Sequence, residues 1–350
     1  MTPTRAPKLH ELPWKYIMRR SLHEFTRNDC MDLAAGLTYY AVLSLVPGLL
    51  AVVSVLGLVG QAADSQEAML GVVQQFVPGE AGKTATQIIS GLSATGGSGI
   101  TLIIGIVTAL WSASGYVGAF GRAGNRLYGV REGRPFYVLK PVLLIVTFFL
   151  LLCVVLIIFM AALSGSIAQT VGSFIGFGPQ AAQIWDLAKL PAVILLAILM
   201  VGLLYHFTPN IKHTRFRLLS PGAAFAFLAM VLASLGFGFY VAYFSKYPNT
   251  YGALAGVIVM LLWIWIINNT LLLGLALDAE VTRGRQLERG IDAEKEIRLP
   301  ARSNKMIAKL DEAQENLISE AREIRLRPLH AEHSVEVPNL PASASPATGD

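Results

Sequence analysis

The sequence predicts an all-α fold: a polytopic membrane protein built as a six-transmembrane-helix bundle, with short outer-face amphipathic helices and a cytoplasmic helical tail. Three observations predict it. Only 15% of the 350 residues are charged, where a soluble domain carries about 25%, and the mean hydropathy is +0.54, so lipid is the solvent the chain suits. The apolar residues gather in runs long enough to cross a bilayer. Basic residues recur at alternate connections between those runs.

Residues 1–32 form a polar, basic arm whose first apolar run is far too long for a cleavable signal, so that run reads as an uncleaved anchor. The first span covers Leu33 to about Gly60. At ~1.5 Å per residue it exceeds a ~30 Å hydrocarbon core, so tilt or a kink is expected. Pro47 is the expected kink, because it lacks the N–H of an i→i−4 bond and crowds the preceding turn. The second span covers Ile100 to about Phe120, the third Leu139 to Leu163, and the fourth Leu190 to about Tyr205. Pro221, suited to a first helical turn, starts the fifth, which continues to about Tyr243, and the sixth covers Ala253 to Leu277.

Orientation follows from the cations. Arg19, Arg20 and Arg27 precede span one; Arg122, Arg126, Arg131, Arg134 and Lys140 fill the second connection; Lys212, Arg215 and Arg217 fill the fourth; Arg283, Arg285 and Arg289 follow span six. The opposite connections carry little beyond Lys83, Lys189 and Lys246. The positive-inside rule therefore places both termini in the cytoplasm of a cell with a bacterial-type inner membrane. On the outer side, residues 65–77, 85–92 and 167–175 repeat apolar residues at helical spacing, as short helices on the membrane surface or packed over the bundle would.

The expected organisation is a cytoplasmic arm (1–32), a membrane domain (33–282), a cytoplasmic helical tail (283–327) and a disordered tail (328–350). In the helical tail Ile307, Leu310, Leu317, Ala321 and Ile324 recur at a and d spacing, which suits a solvated helix or one that docks on a partner. Cys30 and Cys153 fall in different environments and read as free structural thiols.

No P-loop, paired zinc-spaced Cys or His, or GxSxG elbow is present, so the sequence carries no catalytic residues, metal site or cofactor and the chain is read as no enzyme. Polar residues inside the spans are the better lead, because each needs a partner or a wet cavity. Tyr39, Tyr40 and Ser44 in span one, Ser112 and Ser114 in span two, and Asn268 and Asn269 in span six are candidates for a substrate path, or else glue between helices. Arg122 and Arg126, at i and i+4 with Asn125 beside them, suit a lipid phosphate or simply enforce topology. Asp32, Asp278 and Glu280 mark an acidic set at the cytoplasmic rim. The partners these features imply are membrane lipids, a second copy through the glycine-rich spans, and a protein partner for the tail, with no nucleic acid.

The runs AAGLTYYAVLSLVPGLL, LWSASGYVGAFGRAGNRLYGV, LLYHFTPN followed by RFRLLSPGA, and YVAYFSKYPNTYGALAGVIVMLLWIWI together resemble the YihY/BrkB family of inner-membrane proteins, from about Arg19 to Arg283. The resemblance implies a six-span inner-membrane fold, a link to serum-resistance virulence and, in one branch, export of lipid precursors of the outer leaflet. It also implies that the ribonuclease BN label attached to the family is a misassignment, consistent with the lack of converging acidic ligands here. Where the family has Gly-Ala-Glu near the end of span six, this chain has Gly274, Leu275 and Ala276, and Asp278 replaces an Asn, so a role for that glutamate does not carry over, with Asp278 and Glu280 as the candidate substitutes. The expected function is a transporter or flippase-like protein for a lipid or amphiphile in cell-envelope maintenance, with a non-catalytic scaffold for envelope or secretion partners as the alternative.

A reporter fused after Arg134 should be active only inside the cell and one after Lys83 only outside; exchange of the two signals would overturn the topology.

Overall fold

The computed structural model of the chain describes residues 12–59, 99–162, 180–212, 220–244 and 252–333. Among them are eight helices and no strand, with an isolated antiparallel bridge between Ile211 and Ala301. The helices are α1 (Trp14–Arg27), α2 (Cys30–Val59), α3 (Gly99–Leu127), α4 (Phe136–Ala162), α5 (Gln180–Phe207), α6 (Pro221–Phe244), α7 (Gly252–Leu287) and α8 (Lys305–His333). Four of them, α4 to α7, hold stretches long and apolar enough to cross a membrane. The outer-face helices expected at 65–77, 85–92 and 167–175 fall outside the described residues.

The polar arm contains a helix that the apolar pattern does not reveal. The buried stripe of α1 is Ile17, Ser21 and Glu24, so only one of its three residues is apolar. Ser21 returns its hydroxyl to the Ile17 carbonyl at 2.8 Å, which lets it sit inside at little cost. The helix ends where Asn28 donates through its backbone and side chain to the Glu24 carbonyl, and Asp29 adopts a left-handed φ of 52° before α2 begins.

Most helices outrun the spans read from hydropathy. α3 continues past Phe120 to Leu127, α5 starts at Gln180 rather than Leu190, and α7 continues past Leu277 to Leu287. Hydropathy marks the greasy part of a helix, whereas the hydrogen-bond ladder runs on until a residue or a neighbour stops it. Pro191 lies inside α5 and Pro47 inside the unbroken run of α2; side chains near Pro47 are outside the described set.

α7 is the central element and packs against α1, α2, α3 and α6, while α2 lies along α3. The core gathers at the end of the bundle that carries the basic connections: Leu37, Val117, Phe120, Ala123, Ile211, Leu272, Leu275 and Ala279 are all buried there. Toward the other half, apolar side chains such as Leu187, Leu235 and Phe239 stand exposed on the helix surfaces, the pattern a lipid solvent permits. Phe136 and Tyr137, exposed at the start of α4, suit an interfacial anchor.

The described chain forms two compact units, Met1–Ser303 and Asn304–Asp350. Residues 288–303, which follow α7, belong to the first and pack back on it. Lys212 donates to the Pro300 carbonyl at 2.9 Å and Arg302 to that of Asn210 at 3.1 Å. α8 belongs to the second unit.

Among the described glycines, the tightest contact is that of α6 on α7. A Cβ on Gly222 would lie 2.1 Å from the Gly274 carbonyl oxygen, and one on Gly274 2.5 Å from the Ala226 Cβ. Gly222→Ala or Gly274→Ala should therefore lower thermal stability in detergent by ~1–3 kcal/mol through overpacking. Gly36→Ala, with open space around it, should leave stability unchanged or raise it.

Candidate functional site

The polar groups inside the bundle divide into those the fold has already used and those it leaves open. Asn268 belongs to the first class. It is buried, donates to Thr38 Oγ1 at 3.1 Å and accepts from the Tyr116 hydroxyl at 2.9 Å, so it ties α7 to α2 and α3. Asn269 donates to the Trp265 carbonyl at 2.8 Å and keeps a buried Oδ1 without a hydrogen-bond partner. Ser44 bonds its own helix at Ala41, and Ser112 is partly buried on α3. Among the described contacts these candidates do not converge with Tyr39 and Tyr40 on one cavity.

The rim carboxylates are likewise taken up by the fold, apart from Asp32. Asp278 accepts from the Gly222 N–H at 3.0 Å, where Ser220 Oγ also accepts from Ala223, so the two oxygens cap the start of α6. Glu280 is buried and receives Arg283 Nε at 2.9 Å, with Arg20 at 4.0 Å. Arg283 goes on to the Ala293 carbonyl at 2.7 Å and so binds the segment after α7 to its own helix. Asp32 is exposed in the first turn of α2, where a negative charge suits the helix dipole.

A buried polar knot closes the basic end. α5 must stop at Pro209, which leaves the carbonyls of its last turn without helical partners. Arg134 donates to the Thr208 carbonyl at 2.6 Å, and Arg302 donates to those of His206, of Ile211 at 2.8 Å and of Phe207 at 3.4 Å. Arg134 is held in turn by Glu132 through a forked pair of 2.8 Å bonds. Asn210 donates to the carbonyls of Arg131 and Ser303, each at 3.0 Å, while its backbone N–H reaches Asn125 Oδ1 at 2.6 Å. Asn125 thus points inward, away from any headgroup. Gly121 and Gly124 let α3 come this close: a Cβ would lie 3.0 Å from the Thr208 oxygen and 2.9 Å from Pro209 Cγ. Burial alone would raise the Glu132 carboxyl, but the hydrogen bonds and charge of Arg134, with the Asn125 amide, hold it below its ordinary 4.5.

One face of α3 runs along the groove where α2, α3 and α4 meet. Trp111, Gly115, Gly118 and Arg122 follow i, i+4, i+7, i+11 spacing and share one side of the helix. The two glycines let the neighbouring helices close on this face; a Cβ on Gly115 would lie 3.5 Å from Tyr40 of α2 and one on Gly118 3.2 Å from Leu143 of α4. Tyr39 and Trp111 stand exposed beside it. Two cations occupy the groove. The Arg122 guanidinium lies 5.6 Å from the Tyr40 ring centroid, and the Lys140 ammonium lies 3.9 Å from that of Trp111 while donating to Ser114 Oγ at 2.6 Å. Neither meets a carboxylate among the described residues. Nearby, Arg126 pairs with Asp29 at 3.5 Å, Arg134 with Glu132 and Arg283 with Glu280. Of the seven path candidates, Tyr40 and Ser114 contact these two cations, and Tyr39 lies against Tyr40. Sequence reading missed Lys140 as a site residue, although a lysine near the start of an apolar run was its visible signal.

Among the described residues, no three His, Cys, Asp or Glu side chains gather in a way that could hold a metal ion.

The profile of the family described as Virulence factor BrkB matches residues 21–298. The chain is 26% identical to a Bacillus subtilis protein described as ribonuclease-like, YfkH, over 77% of this chain and 96% of that one. It is 28% identical to a UPF0761 membrane protein of Chromohalobacter salexigens, over 81% of this chain and 68% of the relative. A UPF0761 membrane protein of Xanthomonas euvesicatoria is 27% identical over 81% of this chain, which spans 66% of that relative. No solved structure matches.

Replacing Arg134 with Ala should cost ~3 kcal/mol, because it strands Glu132 and the Thr208 carbonyl together. Since the folded Glu132 value is depressed, its contribution is complete above 4.5 and fades as pH falls through the folded value. Thermal unfolding in detergent from about pH 7 to 3 should therefore fall more steeply with acid in the native protein than in Glu132→Gln.

Proposed function

The chain belongs to the Virulence factor BrkB family, and on that premise we propose that it moves an anionic lipid or amphiphile between leaflets of the bacterial inner membrane, as a flippase-like transporter serving the cell envelope. In this reading α2 and α3, with 30 and 29 residues, supply two crossings beside the four of α4 to α7. Both termini then lie in the cytoplasm, where the basic end of the bundle faces the headgroups.

The observation that carries the proposal is the pair of cations in the α2–α3–α4 groove. A cation at the cytoplasmic rim of the membrane attracts anionic headgroups when no carboxylate neutralises it. Arg122 and Lys140 have aromatic faces and a hydroxyl for company but no carboxylate among the described residues. A phosphate-bearing headgroup would supply the missing negative charge, and the acyl chains would leave along the exposed apolar sides of Trp111 and Tyr39. The path is then a lipid-facing furrow, since Asn268 at the centre of the bundle is spent on Thr38 and Tyr116.

The proposal gives the protein no catalytic chemistry. Three of the acids near the basic end are engaged by the fold: Glu132 with Arg134, Asp278 with the start of α6, Glu280 with Arg283. Scaffolding is the second reading, favoured by the exposed apolar residues of α8. Deleting everything after Ser303 separates the two, because a scaffold would lose its function and a transporter would keep most of it.

Purified protein in vesicles of phosphatidylglycerol and phosphatidylcholine should speed transbilayer movement of a fluorescent phosphatidylglycerol. Arg122→Ala and Lys140→Ala should each slow it several-fold while thermal stability changes little. Rates equal to protein-free vesicles for anionic and zwitterionic lipids alike would refute the proposal.

A further inference from the structure

α8 leaves a row of large apolar side chains in the open. Leu310, Leu317, Ile318 and Ile324 are 49%, 61%, 49% and 55% exposed. Leu310, Leu317 and Ile324 stand seven residues apart, and Ile307, Gln314 and Ala321 fill the alternate positions, so the stripe follows a heptad with these two sets at d and a. A helix of this pattern is stable in water only when the stripe is covered.

The charges indicate what covers it. Between Lys305 and Arg327 five basic residues (Lys305, Lys309, Arg322, Arg325, Arg327) balance five acidic ones (Asp311, Glu312, Glu315, Glu320, Glu323). A helix without net charge has little attraction to an anionic membrane surface. A second copy of the same helix fits better. In a parallel pair each g position faces the e position five residues on in its partner. Glu320 then meets Arg325 of the second copy, and Ala313 meets its Ile318, so one flank gains an ion pair and the other an apolar contact. Parallel pairing also follows from the connection: α8 starts two residues after Ser303, the end of the first unit, and copies inserted alike present that residue on the same membrane face.

We propose that α8 pairs with α8 of a second copy as a parallel two-stranded coiled coil over residues 307–327. Three heptads with Gln314 and Ala321 at a positions make a weak zipper, and confinement to the membrane supplies the effective concentration it needs. Gln314 fixes the register at some cost in stability. This pairing stands independently of lipid transport.

The test is a cysteine scan in the full-length protein in native membranes; Cys30 and Cys153 are buried and give a low background. Under mild oxidation, Leu310→Cys, Leu317→Cys and Ile324→Cys should each form same-position disulfide dimers, at least several-fold above Glu312→Cys and Ser319→Cys. Dimers at Leu317→Cys alone would mean antiparallel pairing and overturn the proposal. Protection of the stripe without any dimer would assign it to another protein or to the lipid surface, and would overturn it equally. As a second readout, Glu320→Lys should reduce co-purification of two differently tagged copies, and Glu320→Lys with Arg325→Glu should restore it. Failure of that rescue would also count against the pairing.

Discussion

The architecture depends on the end of α5. Pro209 halts the helix, and its last carbonyls lie inside the protein, where an unmet acceptor is costly. Arg134 arrives from the connection between α3 and α4, and Arg302 from the segment after α7. Two guanidiniums at one helix C-terminus also suit its negative dipole end, provided their mutual repulsion is offset. Glu132 supplies the offset by gripping Arg134 with both oxygens. Two stretches distant in sequence are thereby fastened to one helix end. Asn210 completes the knot by serving Arg131, Ser303 and Asn125 at once.

That fastening gives the groove its meaning. Arg134, Arg283 and Arg126 each have a carboxylate, and their charge belongs to the fold. Arg122 and Lys140 have rings, a hydroxyl and a carbonyl beside them. The same residue types thus do structural work where loops meet and, among the described residues, lie without a carboxylate along α3 and at the start of α4. Small residues serve both ends: Gly121 and Gly124 admit the knot, while Gly115 and Gly118 admit Tyr40 and Leu143.

Several features were readable because they rest on local chemistry. The apolar runs, the start of α6 at Pro221 and the break after Thr208 follow from hydropathy and proline. The motif from Tyr205 to Asn210 was visible as a turn, but its role as the anchor of the knot was not, because its partners lie beyond Arg131 and near Ser303. α1 escaped notice for a related reason: a buried face made of Ile17, Ser21 and Glu24 has no apolar period, and it becomes sensible only beside Leu277, Val281 and Gly284 of α7.

The sequence by itself determined that this is a helical protein suited to a bilayer, and which end of it is basic. Both are sums over neighbouring residues, and a solvent preference needs no knowledge of distant contacts. Only the tertiary structure decided which polar residues are spent and which are free. Asn268, Asn125 and Glu280 read from the chain as open candidates, yet each is consumed by a partner from another helix or loop or by an arginine one turn on. Lys140 read as a topology marker and emerges as a cation that meets no carboxylate among the described residues. Whether a charge is available depends on what stands within about 4 Å of it, and packing alone sets that.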